Sequence, residues 1–162
     1  MKQKIKGRKE LLRIIKSLRA KGNRIVFTNG CFDLLHIGHI RYLEKAKTLG
    51  DILVVGVNSD SSVRKIKGPK RPVLPVKERT EILSGLECVD YVTIFDEVDP
   101  LKLITSLKPN VLVKGGDWAK EQIVGREVVE RSGGEVVAIP FIKGASTSNL
   151  IETILKRFQK KS

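Results

Sequence analysis

Histidine and tryptophan are scarce in this chain. Among 162 residues there are two of the first and one of the second, and aromatic residues reach only 5%. The two cysteines, Cys31 and Cys88, stand 57 positions apart with no metal-ligand spacing, which excludes a disulfide scaffold and a zinc ribbon. No apolar run approaches the length of a membrane span. The N-terminus is basic but lacks an apolar core and a small-residue cleavage site, so it does not read as a secretory signal. A reduced, cytoplasmic setting with no membrane role is the expectation. Internal repeats and low-complexity segments are also absent.

What the chain has in excess is positive charge, +13 in all. Residues 1–24 hold ten Lys/Arg and one Glu, and residues 156–162 hold four Lys/Arg and no acid. The stretch between carries seventeen of each sign and sums to zero. A protein built to track a phosphate backbone spreads its basic residues over a groove, so nucleic-acid binding is not expected as the main role. The charge belongs instead to a basic N-terminal helix (1–22) ahead of a neutral catalytic body (23–158), within one domain spanning 1–162.

Hydrophobic periodicity predicts helices over 8–20, 37–49, 76–86, 99–107, 125–133 and 146–158, separated by short apolar strands. "RIVFT", "DILVVGV", "YVTIF", "NVLVKGG" and "EVVAI" are the strands; Asp99–Pro100, Pro75 and Gly133–Gly134 mark helix ends. Strands alternating with helices imply an α/β fold, a Rossmann-like, doubly wound, five-stranded parallel sheet with helices on both faces. Ligands bind such sheets beyond the carboxyl ends of the strands. The segment "VRKIKGPKRPVLP" (63–75) fits no regular element and reads as a basic loop.

Both histidines fall in one stretch, "TNGCFDLLHIGH". Gly30 permits a tight turn after the first strand, and His36 and His39 share a face at the start of the next helix. Gly38 leaves that face bare, although glycine costs a helix about 1 kcal/mol relative to alanine. The free N–H groups and dipole of a helix start complete a site suited to a polyphosphate. The plainer alternatives are ordinary surface histidines with Asp33 as a cap, or a zinc pair, for which spacing and further ligands are lacking. No dedicated metal cage is visible.

"GCFDLLHIGH" resembles the HxGH signature of the nucleotidyltransferase superfamily, and "GASTSNLI" (144–151) resembles its second signature, which opens the last helix. "GDILVVGVNSD", "KGPKRPVLP", "ERTEIL", "VDYVTIFDE", "LVKGGDW" and "GGEVVAIP" follow in order. From residue 27 to about 155 the chain is similar to the D-glycero-β-D-manno-heptose 1-phosphate adenylyltransferase domain. The resemblance implies a stand-alone form without the sugar kinase domain to which that domain is often fused. It implies transfer of AMP from ATP to heptose 1-phosphate, giving ADP-heptose and pyrophosphate for lipopolysaccharide core synthesis. ATP is then a substrate, and Mg²⁺ accompanies its phosphates. Glycerol 3-phosphate cytidylyltransferase and FMN adenylyltransferase share the signatures and are the alternatives, with a non-catalytic nucleic-acid binding module as the rival of another class. Relatives often pair as homodimers, although no stretch here announces an interface.

The resemblance also distributes roles. His36 and His39 stabilise the α-phosphate. Thr28, Asn29, Gly30, Cys31 and Phe32 form the turn beneath the nucleotide, with Gly38 giving room. Ser146, Thr147 and Ser148 meet the outer phosphates. Lys65 and Lys67 sit on a lid, or on a plain surface loop. Arg79 reaches phosphate, or pairs with an acid. Lys114 and Gly115 lie at the turn after the fourth strand. Asp33, Asn58, Asp60, Asp117 and Trp118 are expected around the acceptor, with helix capping the other reading of Asp60 and core packing that of Trp118.

Overall fold

In the computed structural model, residues 2–116, 122–140 and 144–159 are described. Five strands form one parallel sheet: β1 (Ile25–Gly30), β2 (Ile52–Asn58), β3 (Tyr91–Phe95), β4 (Val111–Gly115) and β5 (Glu135–Ile139). Their spatial order is β3-β2-β1-β4-β5. Ile25 pairs with Ile52 on one side of β1, and Val26 pairs with Val111 on the other. Strand order therefore reverses at β1 and β4, and a crevice opens at their carboxyl ends.

The strands are buried on both faces because helices cover both. On one face, α1 (Arg8–Ala20), α5 (Leu101–Leu107) and α6 (Arg126–Arg131) pack Leu11, Ile15, Leu103, Ile104 and Val129 against Phe27, Val54 and Leu112. On the other, α2 (Ile37–Lys47) and α4 (Val76–Ser84) pack Tyr42, Leu43, Ala46 and Leu83 against Val26, Val55 and Val113. Gly56 lies mid-strand because a Cβ there would come within 2.9 Å of the Phe27 ring.

Helix α1 is stitched to this body by its charges. Arg8 donates to the carbonyl of Lys102 and to Ser106, and Arg19 to the carbonyls of Leu107 and Lys108. A 3₁₀ turn at Lys2–Lys4 and a parallel bridge from Ile5 to Val92 precede it, neither of which the sequence announces.

The expected 63–75 loop is half helix. Helix α3 (Asp60–Lys67) is capped by Ser59, whose hydroxyl accepts from the Ser62 N–H, and it ends at Gly68 with φ 90°. The basic residues of its last turn complement the helix dipole. Helix α5 starts at Leu101 rather than at Asp99, whose carboxylate accepts from the Leu101 N–H. Helix α7 (Thr147–Phe158) ends the described chain.

Candidate active site

A cavity of about 950 Å³ opens at the carboxyl ends of β1 and β4. The turn after β1 supplies one wall through Asn29, Gly30, Cys31, Phe32, Asp33, His36, Gly38 and His39. Asn58 and Lys67 lie on a second side, Lys114 and Gly115 on a third, and Ser146, Thr147 and Ser148 on a fourth. Fifteen of the expected site residues thus meet around one space, although the sequence separates them by more than a hundred positions.

The imidazoles are stacked, with ring centroids 3.9 Å apart and planes 25° from parallel. Phe32, held at φ 44° in the left-handed region, sets its ring 5.3 Å from that of His39. Gly30 must be small here, since a Cβ would come within 3.1 Å of the Phe32 ring. Burial lowers the pKa of His36, and burial reinforced by neighbouring His36 lowers that of His39 to about 4. Burial thus favours the neutral form of both rings. Among the described residues, three buried side-chain polar atoms lack a hydrogen-bond partner: Thr93 Oγ1 and the Nδ1 atoms of His36 and His39. Buried polar atoms are normally paired, so two orphans side by side in a cavity wall mark a place for a ligand.

Helix α7 begins at the same spot. Ser146 caps it by accepting from the Asn149 N–H at 3.1 Å, and Thr147 donates to the carbonyl of Leu34 at 3.2 Å. The first turns of α2 and α7 meet at Gly38, where a Cβ would lie 3.0 Å from the His36 ring and 3.1 Å from Ala145. Strand alternation puts Lys114 on the same face as Leu112, opposite the face that α2 covers. Burial lowers the pKa of this lysine, a cation desolvated in the cavity wall.

Four expected residues stand elsewhere. Thr28 is fully buried beneath the cavity, its hydroxyl 2.6 Å from that of Tyr42. Lys65 is exposed on α3 and does not line the cavity. Arg79 is 1% exposed and donates to the carbonyls of Leu74 (3.0 Å), Cys31 (2.5 Å) and Asn58 (2.9 Å) and to Asp60 Oδ1 (2.7 Å). It takes the acid-pairing alternative and removes Asp60 from the acceptor side. Helix α3 is capped by Ser59, not Asp60. Asp33 touches the cavity, but its carboxylate accepts from the N–H groups of Val73 (2.8 Å) and Leu74 (3.0 Å) and from Arg71 Nε. Burial opposes its ionisation, yet those donors outweigh burial and hold its pKa below the ordinary value. Asp117 and Trp118 lie outside the described residues.

Other cavity-lining residues escaped sequence reasoning. Arg71 lies within a basic run that does not distinguish it from its neighbours, and Asn149 follows directly on the hydroxyl segment 146–148. Ile66, Val98, Pro100 and Val124 form apolar parts of the wall. Ile66, Val98 and Val124 are exposed apolar side chains, a property that a sequence does not show. Among the described residues no three His, Cys, Asp or Glu groups gather as a metal cage, and no helix is long and apolar enough to cross a membrane.

The pattern of the Cytidylyltransferase-like family matches residues 27–155. Two curated relatives, each named "Bifunctional protein HldE", come from Pelobacter propionicus and Trichlorobacter lovleyi and are 57% and 56% identical over 155 residues. Those alignments cover 96% of this chain but 32% of either relative, so the chain spans about a third of their length. Among solved structures, a lipopolysaccharide core biosynthesis protein from Thermoplasma volcanium superposes with a TM-score of 0.63 and 32% identity, covering 76% of this chain and all of that one. A pantoate-β-alanine ligase from Francisella tularensis, 18% identical with a TM-score of 0.57, shares the fold.

Proposed function

Because this chain belongs to the Cytidylyltransferase-like family, we propose that it transfers AMP from ATP to D-glycero-β-D-manno-heptose 1-phosphate, releasing ADP-heptose and pyrophosphate. The single observation carrying a phosphate-handling site is the stacked, unpartnered imidazole pair between two helix starts. The choice of heptose rests on the ordered motifs from residue 27 to about 155 and on the HldE name of the relatives.

An acceptor phosphate oxygen attacks the α-phosphorus, a new P–O bond forms, and the bond to the bridging oxygen breaks, so pyrophosphate leaves with the electron pair. The protein supplies positioning and charge stabilisation, with no covalent step. His36 and His39 each donate an N–H to the oxygens of the α-phosphate. The hydroxyls of Ser146 and Ser148 and the open amides at the start of α7 take the leaving pyrophosphate. Lys67 and Arg71 approach from the α3 side, and Lys114 from the opposite face of the sheet. Asp33 and Arg79 touch no substrate; they hold the segments that do. The described residues offer no carboxylate set for Mg²⁺, so the ion would arrive on the nucleotide's own phosphates.

Pyrophosphate release from a panel of nucleotides and phosphorylated acceptors tests the reading. Turnover with ATP and heptose 1-phosphate is expected. Fast turnover with CTP and glycerol 3-phosphate, or with ATP and FMN, and none with the heptose would overturn it.

A further inference from the structure

Arg71 lines the cavity with part of its guanidinium already engaged. Its Nε donates to Asp33, whose side chain is 1% exposed and accepts as well from the N–H groups of Val73 and Leu74. Arg79 is the next link, donating to the Leu74 carbonyl at 3.0 Å and tying it to Cys31 and Asn58. The backbone of Arg71 is fixed too, its N–H donating to the Gly68 carbonyl at 3.2 Å. No acceptor among the described residues takes the two terminal nitrogens, Nη1 and Nη2. With Nε held, that outer edge is what the side chain has left to offer the cavity.

The charges around it call for an anion. Lys67 and Lys114 also line the cavity. Lys67 and Arg71 both act against the burial that raises the pKa of Cys31, and Lys114 interacts with the same thiol. Three cations thus converge on one point of the wall. The cavity lining described here contains two carboxylates, Asp33 and Asp99. Asp33 is taken by Arg71 and two amides, and Asp99 accepts from the Leu101 N–H at the start of α5. Clustered cations facing no free carboxylate draw in an oxyanion.

We infer that Arg71 grips the phosphate of the acceptor through its Nη1–Nη2 edge, with Lys67 and Lys114 beside it. A phosphomonoester has three non-bridging oxygens. A guanidinium edge holds two of them and leaves the third to attack. The α-phosphate of ATP has only two, and they already face the imidazoles. An anion attacking a polyanion also meets charge repulsion, which cations on the attacker's side offset. Asp33 and Arg79 set this edge in place before any ligand arrives, which lowers the ordering cost of binding. Naming the acceptor rests on the proposed function; a phosphate seat at Arg71 does not.

Titration calorimetry with inorganic phosphate, on the full chain saturated with α,β-methylene-ATP, tests the seat without any sugar. The analogue occupies the triphosphate positions and leaves the acceptor's open. Native protein is expected to bind phosphate. Arg71→Lys keeps the charge, loses the fork, and should weaken binding roughly tenfold or more, the equivalent of one charge-assisted hydrogen bond. Lys70→Met removes a neighbouring charge outside the cavity lining and should bind as native. In steady-state assays Arg71→Lys should raise the KM for heptose 1-phosphate by a similar factor and leave the KM for ATP within about twofold. General loosening of the wall would not give that split, and the retained KM for ATP shows that the variant folds. Native protein that takes up no phosphate at roughly 50 mM, Arg71→Lys binding as native, or an equal loss in Lys70→Met overturns the inference. So does a rise confined to the KM for ATP, which would give Arg71 to the nucleotide. Turnover of a different phosphorylated acceptor in place of the heptose would sink the functional reading alone, since the phosphate titration involves neither.

Discussion

On the α3 side of the cavity, two buried charges bind three separate segments together. Asp33 holds the loop at 71–74, and Arg79 joins the carbonyls of Cys31, Asn58 and Leu74. On the α7 side, hydroxyls expected to meet the same ligand hang from a helix with no buried residue and, among the described residues, a single hydrogen bond to the body, at Leu34. The first wall is built before any ligand arrives; the second is left for a ligand to steady. Damage to the first should appear in stability, and damage to the second in catalysis with stability spared.

The sharpest break is Arg79→Ala. It strands three carbonyls and the part-exposed Asp60, and each buried acceptor left unsatisfied costs about 1–3 kcal/mol, so the denaturant midpoint should drop steeply. Arg79→Lys should not recover it, because one ammonium cannot reproduce the fork. His39→Ala comes next. Loss of one transition-state donor is expected to lower kcat by about 10²–10³, while the melting temperature stays within a few degrees of native. A near-normal rate in that variant would count against the imidazole mechanism.

Asp33→Asn probes the braced wall by pH. Its folded pKa is depressed, so its stabilisation is present above the unfolded carboxyl value of about 3.9 and is lost as pH falls through the lower folded value. The gap in unfolding free energy between native and variant should be about 1–3 kcal/mol at neutral pH and close below pH of about 4. A gap independent of pH would show that the charge of Asp33 contributes nothing. Gly38→Ala tests the seam between the walls. Helix propensity improves by up to about 1 kcal/mol, yet the new methyl presses on His36 and Ala145. An unchanged or higher melting temperature with kcat/KM lowered about tenfold is expected, the cost of a small misplacement at reacting groups. The smallest effect is Thr147→Val, which removes a neutral hydrogen bond worth about 0.5–1.5 kcal/mol. It should raise KM for ATP a few fold and leave the unfolding curve almost in place.

Much of this was legible in the sequence. Continuous apolar runs bounded by glycine, proline and charge gave all five strands, and the spacing of two histidines around Gly38 located the cavity. The residues that were misplaced share a cause. Arg79 and Asp33 look like surface charges because the groups that satisfy them are mostly backbone N–H and C=O, which every residue carries and no sequence distinguishes. Val73 lies 40 positions from Asp33, so only the folded chain shows the contact. Helix α3 was hidden because its cap, Ser59, precedes a run dominated by Lys, Gly and Pro, and at eight residues it has too few turns for a clear period.

The bond from Thr147 to Leu34 spans 113 positions. A ribosome making this chain therefore finishes the imidazole pair long before the hydroxyls that complete the pocket. On the proposed function, a product truncated ahead of α7 lacks the hydroxyls of Ser146 and Ser148 and is expected to be inert.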